Sequence, residues 1–107
     1  MSLTMDLSQN GLAMFFKPYQ TEALKALWES NTPLNSRQVW HTVGVDKISR
    51  ASIINFLNAM VDSGLLNMES ITGKGGHRGV YSPCYDEAGT KRYLAERFRE
   101  KLYQLTK

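Results

Sequence analysis

The chain has 107 residues, 42% hydrophobic and 21% charged, which suits one folded domain with a modest core and excludes a disordered chain. No apolar run nears the roughly 20 residues that span a bilayer, and no secretory pattern opens the chain. The single cysteine, Cys84, forbids an internal disulfide and points to a reducing compartment, with the cytoplasm as the default. Net charge is +3, placed unevenly: residues 1–36 carry −1, residues 37–83 +2 and residues 84–107 +2. A bias this mild permits a polyanionic partner without demanding one.

Residues 1–17 read as an N-terminal extension ending in Leu12-Ala13-Met14-Phe15-Phe16. Met1 and Met5 are both candidate starts, so residues 1–4 could be an added leader. Apolar residues at this density seldom stay exposed on a small domain, so the segment is expected to pack on the body or on a partner chain.

Pro18 suits the first position of a helix, where its missing amide costs nothing. Tyr19, Ala23, Leu24, Leu27 and Trp28 then form an apolar stripe, and Asn31-Thr32-Pro33 ends the helix. Asn35 followed by Gln38 is a variant capping box that opens a short second helix, about 35–43, with Val39, Trp40 and Val43 inward and Gly44 as the stop.

The third helix is the best signalled. Ser49 is its N-cap, Ile48 and Ile53 have staple spacing, and Gly64 terminates it. Ile53, Phe56, Leu57, Met60 and Val61 recur at helical steps and turn to the core. The opposite side is expected to carry Arg50, Ser52, Asn55 and Asn58, with no acid among them. Two short helices joined by a few residues, the second bearing a polar outer face, form a helix-turn-helix arrangement.

Leu65 to Thr72 and Val80 to Pro83 read as two strands. Between them lies Gly73-Lys74-Gly75-Gly76-His77-Arg78-Gly79, predicted as a hairpin tip whose Lys74, His77 and Arg78 suit phosphate oxygens. It is no Walker loop, because neither Ser nor Thr follows the lysine. Asp86 to Thr106 closes the chain as a helix of about five turns. Its apolar stripe, Leu94, Phe98, Leu102 and Leu105, is long for so small a body and is predicted to pair with a second copy.

The order is three helices, a basic hairpin and a long terminal helix: an α+β, mainly α, winged helix-turn-helix. The sequence also resembles the penicillinase-repressor family of bacterial and archaeal transcription regulators. The resemblance rests on Glu22 to Trp28, Leu34 to Val39, Ile48 to Ile53, Asp62 to Leu66 and Val80 to Pro83. It covers about residues 18–84, and regulators of the multidrug-resistance and phenolic-acid types share much of it. It implies a homodimeric repressor of double-stranded DNA, with a winged-helix domain at 18–84 and a dimerisation helix at 85–107. Members of that family carry a longer dimerisation region and a shorter, less glycine-rich wing tip, so their proteolytic switch is not carried over.

On this reading the third helix, about 49–63, enters the major groove, where Arg50 and Asn55 reach base edges. Ser36, Arg37, Lys47, Ser49 and Ser52 touch phosphates, and the 73–79 wing, through Lys74, His77 and Arg78, meets the backbone or minor groove. The plainer reading of the helix face is a solvated surface, on which Glu and Lys at four-residue spacing are commoner than Asn and Ser. The rival function is a winged-helix module that docks a protein, for which Ile54 near the outward edge is a small sign. No catalytic constellation is found, and His41, His77 and Cys84 are scattered without metal-ligand spacing, so neither enzyme, cofactor nor metal is expected. No membrane partner is expected, and the sequence names no small-molecule effector.

Overall fold

The computed structural model describes residues 3–73 and 76–107, with the side chains of 73–78 outside that description. It contains α1 (Pro18–Glu29), β1 (Leu34–Asn35), α2 (Ser36–Val43), α3 (Arg50–Asp62), β2 (Leu66–Gly73), β3 (Gly76–Pro83) and α4 (Glu87–Leu105). A short 3-10 turn, Gly11–Met14, precedes α1.

The local signals act as their chemistry dictates. Pro18 starts α1, and the side chain of Gln20 accepts from the Lys17 amide at 2.9 Å. At α2 the capping box is reciprocal: Asn35 Oδ1 accepts from the Gln38 amide and Gln38 Oε1 from the Asn35 amide, both at 2.8 Å. Each bond satisfies a donor that the first helical turn leaves without a partner. Ser49 Oγ accepts from the Ser52 amide at 3.1 Å and so caps α3.

The three helices close on a core of Leu24, Leu27, Val39, Ile53, Phe56 and Leu57. Trp40, expected as core, is only half-buried; its indole Nε1 donates to the Ile48 carbonyl at 2.8 Å and so fixes the turn between α2 and α3. The N-terminal segment packs on the body: Phe16 is buried, edge-on to Phe56 at 6.0 Å, and Phe15 lies 5.0 Å from Phe98 of α4.

The sheet is antiparallel in the order β1-β3-β2. Two features depart from the sequence-based expectation. A two-residue β1 was not anticipated; its Leu34 and Asn35 pair with Tyr81 and Val80. The wing is also mostly strand rather than a long glycine tip. Pairing runs from Leu66↔Pro83 to Gly73↔Gly76, so 76–79 belong to β3 and only 74–75 connect the strands. Glycine density obscured this, since Gly73, Gly76 and Gly79 all sit inside paired strands.

Gly64 is required where α3 gives way to β2. Its φ is +82°, and a Cβ there would sit 2.9 Å from the Tyr93 hydroxyl. Tyr93 needs that space, because its Oη donates to the Ser63 carbonyl at 2.9 Å and ties α4 to the end of α3. Gly64→Ala combines left-handed strain with this clash and should cost about 1–3 kcal/mol. Urea unfolding monitored by circular dichroism would show the midpoint falling with an unchanged slope.

Candidate nucleic-acid interface

On α3 the buried side holds Ile53, Phe56, Leu57, Ala59 and Met60. The exposed side holds Arg50, Ala51, Asn55, Asn58 and Asp62, with Ser52 and Ile54 at half-buried boundaries. Arg50 and Asn55 are therefore both on the outward side, as expected. Ser52 is not fully there: it lines a groove toward Tyr19 and Gln20 of α1, and its hydroxyl accepts from that of Ser49 at 2.9 Å. Asp62 lines the same groove as Asn55 and Asn58, so the face free of acids covers only the first three turns. Ala51 was missed because a small apolar residue gives no polar signal, although helical steps place it between Arg50 and Asn55.

Arg50 and Arg37 are exposed and form no ion pair among the described residues. Arg50 opens α3, and Arg37 is the second residue of α2, after the half-buried Ser36. Lys47, in the turn, approaches Glu22 of α1 at 3.9 Å with both side chains largely exposed. An exposed pair of that length contributes at most about 1 kcal/mol and leaves the ammonium free to exchange partners.

The wing is fastened to this helix. Tyr81 of β3 is buried, and its Oη donates to Asn58 Oδ1 at 2.7 Å. Burial pushes the Tyr81 phenol above its usual range. Asn58, although exposed, thus commits its side-chain oxygen to the helix-to-wing joint. His77 and Arg78 lie on β3, paired with Thr72 and Ile71, rather than in a loop. Lys74 falls outside the described residues.

The four residues assigned to dimerisation do not share one environment. Leu94 is buried in the chain's own core at 1% exposure, so it offers almost no surface of its own to a partner. Phe98 is half-buried against Phe15, while Leu102 and Leu105 are 54% and 79% exposed.

The backbone arrangement matches solved structures. A protein from Thermoplasma acidophilum described as a transcriptional regulator aligns with a TM-score of 0.54 at 21% identity, over 81% of this chain and 90% of that one. The ferric uptake regulator Fur of Helicobacter pylori aligns with a TM-score of 0.52 at 14% identity, over 89% and 72%. The fold is a winged helix. No protein-family model matches the sequence, and no curated protein matches it, so the penicillinase-repressor likeness stays a resemblance. The Fur structure holds three functional metal sites. Among the described residues of this chain no cluster of three or more His, Cys, Asp or Glu side chains could hold a metal, and no helix is long and apolar enough to cross a membrane.

Proposed function

We propose that the protein is a transcription regulator that binds double-stranded DNA as a homodimer and acts as a repressor. The carrying observation is the first turns of α3, where Arg50 and Asn55, without side-chain partners among the described residues, project from a helix whose other side is fully committed to the core. The helix lies in the major groove, Arg50 donating to a guanine edge and Asn55 pairing with adenine. Ser36, Arg37, Lys47 and Ser49 meet phosphates around it, and Lys74, His77 and Arg78 of the wing extend the contact along the backbone or into the minor groove. Two structural neighbours described as regulators support this reading. No step of it asks the chain to perform chemistry, so we read the protein as a binding protein and not an enzyme, with the cytoplasm as its setting.

Titration of duplex libraries, read by fluorescence anisotropy, tests the assignment. Arg50→Ala should cost about 1–3 kcal/mol at the preferred sequence and flatten the preference among sequences. No binding to any duplex at low salt would remove the DNA reading. One observation favours the rival protein-docking module: Met68 and Ile71, on opposite faces of β2, are 45% and 50% exposed, apolar side chains where phosphate contact calls for charge.

A further inference from the structure

Between the N-terminal segment and α4 runs an apolar groove of about 460 Å³. Met5, Leu12 and Phe15 form one wall and Phe98 and Leu102 the other, and the charged side chains lining it, Lys91 and Arg99, are both cationic. Those cations pair with Glu87 and Glu96 at 3.3 and 3.5 Å, but both pairs are exposed and weak enough to yield. Beside this groove α4 runs on past the body. From Arg99 onward every residue is exposed, Leu102 and Leu105 included. A stretch of helix this short is marginal in water without a packing surface. Its last turn carries no basic residue, and the cation at this end is Lys107, directly after the Thr106 cap and over the Tyr103 ring.

We infer that the groove is the seat for the outer end of α4 from a second copy of this chain. The inference rests on the homodimer of the proposed function and specifies how that dimer is built. An isologous interface needs the groove and the inserted element on one patch, and Leu102 belongs to both. An antiparallel two-fold level with Glu100 sets Leu105 of one copy level with Ala95 of the other, inside the groove. The N-terminal arm and the outer half of α4 together provide roughly the 20 residues per side of a standard interface. The N-terminal segment then serves twice, anchored on the core by Phe16 and walling the dimer seat through Met5, Leu12 and Phe15.

Sedimentation of full-length variants tests the seat. Leu105→Lys puts a cation against Lys91 and Arg99, and Met5→Glu puts an acid in the wall. Each variant should sediment as a monomer at a concentration where the unaltered chain is dimeric. Mixed one to one they should return to a dimer, because that pairing restores one native contact and joins the introduced charges at the other. Far-UV circular dichroism checks folding, and Met5→Gln replaces Met5→Glu if the acid unfolds the chain. If Leu105→Lys alone dissociates the dimer, α4 pairs without the arm and the seat is overturned. The seat is equally overturned if the mixture stays monomeric, or if both variants stay dimeric and the groove belongs to another occupant. A monomeric unaltered chain fails the dimer itself, seat included, a result distinct from losing the seat alone.

Discussion

Phe56→Ala should remove about 3–5 kcal/mol of folding stability, the cost of deleting a buried aromatic ring whose site cannot collapse. Phe56 is 2% exposed and lies edge-on to two rings, Phe16 at 6.0 Å and Tyr19 at 6.2 Å. Its ring therefore holds α3, the start of α1 and the N-terminal segment in one cluster. Removing it leaves a void facing three elements that cannot all move inward, and it forfeits edge-to-face contacts worth about 0.5–1.5 kcal/mol each beyond burial. A domain of this size has about 5–15 kcal/mol in total, so the variant should lose a fifth or more of it. At roughly 4–8 °C per kcal/mol the melting temperature should fall by about 12–40 °C. Asn55→Ala, one residue away but exposed, should stay within about 0.5 kcal/mol. A loss at Phe56 below 1 kcal/mol would mean that the cluster is not packed as described.

The contrast between neighbours on α3 shows what the sequence carries. Core and caps were legible because their causes are local: Ser49, Asn35, Gln38 and Pro18 act within a turn, and the apolar steps of α3 need only its own period. Other features depend on elements far along the chain. β1 is two residues that become a strand only because Val80 and Tyr81 lie beside them. Asn58 looks like a neighbour of Asn55 in function until Tyr81, far along the chain, claims its oxygen. Leu94 and Leu105 share one stripe on α4, yet one is 1% exposed and the other 79%. Periodicity says which side of a helix is apolar, not how much of its length the body covers. Glycine misled in the wing because its usual meaning, a turn, was applied to residues that sit in paired strands.

Binding to a duplex of preferred sequence should weaken steeply with salt, and the slope should count both the phosphates and the copies of the chain. Each phosphate neutralised contributes about −0.9 to the slope of log K against log salt. One copy offers five cations between residues 37 and 83: Arg37, Lys47, Arg50, Lys74 and Arg78. Were all five engaged, a single copy could give a slope no steeper than about −4.5. Two copies touching roughly six to ten phosphates should give about −5 to −9, a loss of about a thousand- to a hundred-thousand-fold between 50 and 200 mM salt. Anisotropy titrations at four or five salt concentrations would measure it. Because Lys47 already has Glu22 within reach, replacing it should flatten the slope less than replacing Arg37, which has no acid to release. Arg37→Ala removes one contact from each copy and should reduce the slope by about 2 for the dimer. A slope near −4 would put one copy on the duplex and separate DNA binding from dimerisation, while a slope near zero would shift the outward face of α3 to a protein partner.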